Sequence, residues 1–581
     1  MMMKIYLRQL GIIIKRMALG AVTLGLAGTA PCFAAELLRS VGYGNVDPLR
    51  DGATPPAITM RIISSAQFSA DLPLNIGVGD CIIYDSGTDH VYDSVAFIYQ
   101  RLDARNYQVC DAAGQDPVTT TGYIQDWRIY RAYASLADAA RGLENPGMSG
   151  FSGWNFDNHM ASFAMTDSWS FACYADAPNT NTADFSAWMT AIPQNRLKIF
   201  VPAITTSGGE VGVSQRHNGV WSASAFVFVV GNSTGLNVMR NTTIEGLQFQ
   251  NTGGTANIAA VYGAFITDSD VRITKCIFRG PGGSTDAVLH ALDFGNMNAG
   301  EVKIWNNIFY DYKTIAEGNA AIYATSTAAG FLIHCYHNTI VNCESGINAA
   351  NQAVAYAKNC MVLDIDLALG ASYSGVAAAG STNNLSNDGI LPPGAGSRNG
   401  TPLFADAAGK NFHLAAADTI ACNQGADLTG DAYLYINDDI DGNIRGAYDG
   451  WDIGADELAL QPTFTPSVSP TISPTPTQTP TRTTTPSLSA SLPEPAQEIA
   501  YPNPARSGVV AFTSRPGTGE RVTVRVFTMA YRQVWHATIA GVPGQINRME
   551  WNISGMPPGI YLYQIETGSR KTPFKKLAII K

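Results

Sequence analysis

Between Asn241 and Asp364 one short phrase returns five times, at residues 243–251 (TIEGLQFQN), 273–280 (ITKCIFRG), 304–311 (IWNNIFYD), 336–343 (YHNTIVNC) and 357–364 (AKNCMVLD). Set on Gly246, Lys275, Asn306, Asn338 and Asn359, the copies step by 29, 31, 32 and 21 residues. Such uneven spacing belongs to a coil whose strands stack in register while its loops vary in length. Alternate positions then form two columns, Leu247/Cys276/Asn307/Thr339/Cys360 and Phe249/Phe278/Phe309/Val341/Val362. A period of two puts both columns on one strand face, so they point into a shared interior. Asn307 and Thr339 are placed to form a side-chain ladder between rungs. No apolar run of helical period separates the copies, which argues against βαβ units. The fold class predicted is all-β, with a right-handed parallel β-helix at its centre.

A chain of 581 residues exceeds one ordinary domain, and a solenoid with satellite modules is the natural division. Residues 1–34 carry Lys4, Arg8, Lys15 and Arg16 and no acid, then an apolar run over 17–27 and a small-residue exit at Cys32-Phe33-Ala34. This is the order of a secretory signal peptide cut near Ala34 or Ala35, and the run is shorter than the roughly 20 residues a spanning helix needs. No transmembrane anchor is expected in the mature chain. Loss of the leader leaves 33 basic against 47 acidic residues. An acidic chain without basic clusters does not neutralise phosphates, so no nucleic-acid partner is expected. Eight cysteines remain after Cys32, without the spacing of a disulfide framework or a zinc site. Cys81 with Cys110 is the pairing to test first.

Five regions follow: a leader at 1–34, a β-rich N-terminal module at 35–145 capping the coil, the β-helix at 146–460, a linker at 461–497 and a small β-sandwich at 498–581. The runs at 169–174, 196–201 and 225–230 read as early rungs, and residues 135–143 as a short helix. The Thr/Pro/Ser-rich linker cannot bury a core and is expected to act as a semi-rigid polyproline II spacer. Past the repeats come Asn383-Asn384-Leu385, Pro402-Leu403-Phe404, Phe412-His413-Leu414 and Asp452-Ile453-Gly454-Ala455. In order and spacing this closing sequence resembles that of secreted bacterial β-helix proteins of the choice-of-anchor type, which are attached to the cell surface by interchangeable C-terminal modules.

The last segment opens on Tyr501-Pro502-Asn503-Pro504, alternates through 522–527, and closes on Gly559-Ile560-Tyr561 and a Lys-rich end. It resembles the C-terminal sorting domain of type IX secretion and the related Ig-like domain of hook-capping proteins, although residues 529–532 (MAYR) replace the usual glycine turn. The resemblance implies export through residues 498–581, engagement of secretion and attachment machinery, and a destination outside or on the surface of a Gram-negative-type bacterium.

Candidates for chemistry are sparse. Asp364 and Asp366 share one strand face if the strand continues there, and His290 with Asp293 is expected in a loop between rungs. Either pair fits the carboxylate requirement of a polysaccharide lyase or glycoside hydrolase, although neither lies in a recognised lyase, polygalacturonase or esterase motif. Gln215, Arg216, His217 and Trp221 make a sugar-contacting set of planar hydrogen-bonding groups and an aromatic face; a buried polar turn is the alternative. Asp439, Asp441 and Asn443 alternate oxygen ligands around Gly442 as a calcium loop does, with a structural turn paired to Arg445 as the simpler reading. No other cofactor is expected. The function expected is adhesion or glycan binding, with an extracellular polysaccharide or cell-surface glycan as partner and no catalysis; the alternative is a polysaccharide-degrading enzyme.

Overall fold

The computed structural model describes residues 36–458, apart from short stretches within 152–166 and at 191–194, 205–208, 255–257, 264–268, 284–286, 315–317 and 447–449, together with the strands between 500 and 579. The leader, the linker and the 529–532 turn lie outside the described residues. Two compact units divide the chain near residue 465.

The first unit is a parallel β-helix of three sheets. The first sheet stacks Glu36–Gly42, Ser168–Tyr174, Leu197–Phe200, Thr242–Glu245, Ser269–Thr274, Gly300–Trp305, Phe331–Tyr336 and Val354–Lys358. The second runs from Val227–Val230 through Gln248–Asn251, Ile277–Arg279, Ile308–Tyr310, Thr339–Val341 and Met361–Leu363 to Arg398–Asn399. The third comprises Ala183–Asp184, Leu236–Asn237, Ile258–Tyr262, Leu289–Met297, Ala320–Ser326, Ile347–Asn351 and Tyr373–Ser374. Successive coils therefore visit all three sheets in turn. The first strand, Glu36–Gly42, belongs to this coil and not to the N-terminal module in which the sequence placed it.

First and second sheets meet at a two-residue corner. Gly246, Lys275, Asn306, His337, Asn359 and Asn383 all adopt positive φ there, between 51° and 78°, a region where asparagine and glycine are favoured. The corner residue of the fourth copy is His337, where the sequence alignment placed Asn338. Phe309 accordingly pairs with Ile340 and Ile340 with Val362, so Thr339 and Val341 face outward. The polar ladder is Asn307 with Asn338, whose Oδ1 accepts from Asn307 N at 3.1 Å and Nδ2 at 3.0 Å. Asn384 repeats the bond to Cys360 N at 3.0 Å. The aromatic part of the column, Phe249, Phe278 and Phe309, stands as expected and Phe228 extends it by a rung, the four rings stacking at centroid distances of 5.6, 4.9 and 4.8 Å. Each such pair adds about 0.5–1.5 kcal/mol beyond the burial of its rings.

Residues 50–130 build a seven-stranded antiparallel sheet. One face has its own core around Met60, Tyr107 and Trp127. The other, through Cys81, Ile83, Phe97 and Tyr130, joins the cluster that fills the coil and so covers its end, as an unprotected sheet edge requires. Helix Leu136–Arg141, capped by Ser135 and ended by Gly142, adds Leu136, Ala139 and Ala140 to that plug. Cys81 and Cys110 both pair with Phe97, one on each side. Two strand spacings, about 9.5 Å, exceed the reach of a disulfide; both thiols are free, which corrects the pairing suggested by the sequence.

From residue 404 the chain turns back over the coil. Phe412, Leu414, Ala421, Ile440, Ile453 and Ala455 cover the outward residues Ile277, Ile308, Met361 and Leu385 of the second sheet. The returning strap is pinned to the corners: Asn383 Nδ2 donates to Gln424 O, Asn359 Nδ2 to Ala426 O and Asn306 Nδ2 to Asp438 O, at 2.7–2.8 Å. Buried Arg445 donates to Asn306 Oδ1, Gly454 O and Ala455 O, and pairs with Glu457 at 3.3 Å. Asn383, Gly454 and Ala455 of the closing phrases are thus among the residues that lock the strap down.

The second unit is a two-sheet antiparallel sandwich. Val510, Phe512, Met549 and Trp551 of one sheet meet Val522, Val524, Val526, Tyr563 and Ile565 of the other in a single core.

Candidate functional site

Two surfaces of the coil carry groups capable of recognition. The first is a cleft of about 500 Å³ on the outer face of the first sheet, lined among others by Lys198, Phe200, Glu210, Arg216, His217, Glu245, Lys275 and Asp441. Lys198, Phe200 and Glu245 are there because they occupy outward positions of stacked strands. Arg216 and His217 come from the loop before the second sheet, and Asp441 from the end of the strap. Two loops that the sequence reading treated separately are therefore joined. Arg216 Nη2 donates to Ile440 O at 2.7 Å, and the arginine stem crosses the corner at Gly246, where a Cβ would lie 2.5 Å from Arg216 Cδ. Only glycine fits beneath it.

Charges in the cleft are arranged in opposed pairs. Lys198 pairs with Glu245 at 3.0 Å and lies 4.5 Å from the Phe200 ring centre; Lys275 pairs with Asp438 at 2.6 Å. Lys198 holds the Glu245 carboxyl down at about 2, whereas burial pushes Glu210 up. Two carboxylates with opposite shifts in one cleft is the arrangement that separates an acid from a base. His217 is buried and pushed down to about 3, chiefly by burial and then by Arg216, so its imidazole is neutral. Of the predicted sugar-contacting set only Arg216 and His217 reach the cleft. Gln215 is occupied by backbone partners, Val213 O at 2.9 Å and Ala175 N at 3.2 Å. Trp221 packs on the second-sheet cluster with the Arg279 guanidinium 5.5 Å from its ring.

The predicted calcium loop is also rearranged. Asp439 Oδ1 accepts from Asp441 N and Asn443 N, and its Oδ2 from Asn443 Nδ2 and Glu457 N, at 2.7–3.1 Å. Four donors fill the four lone-pair sites of a carboxylate. Asp441 turns away to His413 Nε2 at 2.7 Å, with Asp456 beside them. His413 Nδ1 faces Asn411 Oδ1 at 2.6 Å, so both ring nitrogens meet acceptors and the imidazolium is favoured.

The second surface is the outer face of the third sheet. Register aligns Asp184, Asn237, Tyr262, Asp293, Tyr323, Asn348 and Ser374 in one outward column. From Asn237 onward all are partly exposed. Among the described residues the third sheet enters only the interior hydrophobic cluster, whereas the second is covered by the strap and the first by Leu428, Leu434 and Trp451 near one end. His290 and Asp293 belong to this surface. Both lie in strand Leu289–Met297, a correction of the loop expected for them. His290 is buried and stacked on the Tyr323 ring at 4.5 Å and 5°. Burial pushes His290 down to about 4 and Asp293 up to about 6. Asp293 Oδ1 accepts from Gly295 N at 2.9 Å.

Asp364 and Asp366 do not form a pair. The strand ends at Leu363, Asp364 adopts φ 55°, and the shared face expected of them is lost. Asp364 accepts from Asn387 at 2.8 Å, and Asp366 pairs with Lys313 at 3.0 Å. What sequence reasoning missed is Lys198, Glu210, Glu245 and Lys275 in the cleft and Tyr262 and Tyr323 on the third sheet. Glu245 and Lys275 stand inside the quoted repeats, and their outward positions were the available signal.

The fold and its surfaces define an all-β solenoid with a separate C-terminal sandwich. Residues 499–581 match the family described as secretion system C-terminal sorting domain. No curated protein matches the chain with significance. The sandwich is thus similar to the sorting domains of type IX secretion, which supports export of the protein to the cell surface or the extracellular space through the secretion machinery. No described helix is long and apolar enough to cross a membrane.

Proposed function

We propose that this is an exported, non-enzymatic solenoid that binds extracellular or cell-surface polysaccharide, and so mediates adhesion, along the open face of its third sheet. The observation that carries this reading is the continuous outward column from Asn237 to Ser374, which offers one polar group per rung: two amides, two tyrosines, a carboxylate and a hydroxyl. Rungs about 4.8 Å apart give a track of about 24 Å, long enough for several sugars in a row. Planar hydrogen-bonding groups and half-exposed aromatic rings are the groups that recognise hydroxyl-rich, partly apolar sugar faces. An extended ligand suits a repeated surface because each rung adds a similar contact.

A second reading, a glycoside hydrolase or lyase, is favoured by Glu210 and Glu245 with their opposite shifts beside Lys198 and Arg216. One experiment separates the two. The full secreted chain is incubated with a glycan panel, and both retention and the release of reducing or unsaturated ends are scored. Retention without release is the expected result. Release that Glu210→Gln or Glu245→Gln abolishes would establish the enzyme instead.

A further inference from the structure

Composition and spacing on the third sheet define the polymer further, granted the glycan-binding reading above. The seven strands of that sheet contain no lysine or arginine, and their only charged residues are Asp184 and Asp293. The first sheet, in contrast, carries Lys198, Arg272, Lys303 and Lys358. A polyuronate or sulfated chain laid on the third sheet would bring its anions against carboxylates with no cation in the strands to offset them. An uncharged chain meets no such cost, and its hydroxyls find acceptors and donors in Asp293, Asn237 and Asn348.

The column also has a period. Tyr262 pairs with Asp293 and Asp293 with Tyr323, so the two tyrosines sit two rungs apart on the same register line. Two strand spacings are about 9.5 Å, close to the length of one disaccharide in an extended β-1,4-linked chain, in which every second sugar presents the same face. His290 covers one face of the Tyr323 ring and fixes its plane. Asp293 lies midway, where the intervening sugar would place its hydroxyl edge. We propose that the third sheet binds an uncharged, extended β-1,4-linked polysaccharide, anchored one disaccharide apart on Tyr262 and Tyr323.

The test uses the full chain and soluble polymers of three kinds: an uncharged β-1,4-linked glucan or mannan, an uncharged α-linked glucan, and a polyuronate. Binding to the first is expected to be tightest, and Tyr262→Ala or Tyr323→Ala should each weaken it about tenfold with unchanged melting, since both rings are partly exposed. Equal or tighter binding of the polyuronate or the α-linked glucan overturns the inference while leaving a glycan-binding protein. So does retention of full affinity in both tyrosine variants. Failure to bind any glycan removes the underlying reading itself.

Discussion

At the residue scale, the interior is fixed by single positions whose neighbours cannot compensate. Phe278 and Phe309 are fully buried and stacked nearly parallel, at 6°. Replacing either with Asp would bury a carboxylate with no partner, at a cost of several kcal/mol. Phe278→Asp or Phe309→Asp should therefore leave the protein insoluble or unfolded, checked by solubility and thermal melting. An unchanged melt would contradict the stacked register. The aromatic column was legible in the sequence because a two-residue period leaves little choice. The slip at the fourth copy arose because asparagine is, after glycine, the residue most at home at positive φ, and Asn338 stood next to the true corner. His337 takes the corner at φ 52° and frees Asn338 for the ladder. A slip of one residue exchanges the two faces, which is why Thr339 and Val341 were placed inside.

At the scale of elements, the strap from 404 to 458 is the part whose closing phrases were readable and whose position was not. Its contacts join residues far apart in the chain, such as Lys275 with Asp438, and no local pattern encodes them. Its hold on the coil should depend on pH. Hydrogen bonding to Asp441 raises the His413 pKa above its ordinary 6.5. The stability this contributes is complete below 6.5 and is lost as pH rises through the raised value. Asp456, pushed by burial from 3.8 to about 7, acts in the same direction: its ionisation costs stability as pH climbs between those values. The melting temperature should thus fall from pH 5 to pH 8, and His413→Gln should flatten part of the slope, measured by scanning calorimetry. A melt that rises over this range would contradict the assignment. The filled lone pairs of Asp439 lead to a further expectation, that EDTA leaves the melting temperature unchanged. A drop reversed by calcium would restore the loop as an ion site.

At the scale of the molecule, a coil and a sorting sandwich divide the work. The Thr/Pro-rich stretch between them, expected from sequence to act as an extended spacer, lies outside the described residues. Deletion of 498–581 should abolish surface delivery and trap the chain in the periplasm of a host with type IX secretion, seen by cell fractionation, while glycan affinity is retained. Normal display of the truncated chain would contradict the sorting role. The export architecture was legible because it rests on linear motifs. The third-sheet column was not, because loops of unequal length separate its strands from the quoted repeats. The most direct test of the account is hydroxyl-radical footprinting of the full chain with and without bound glycan. Protection of Tyr262 and Tyr323, with the accessible cleft residues Ile204 and Arg216 unchanged, is the result the account predicts. Protection confined to the cleft would contradict it.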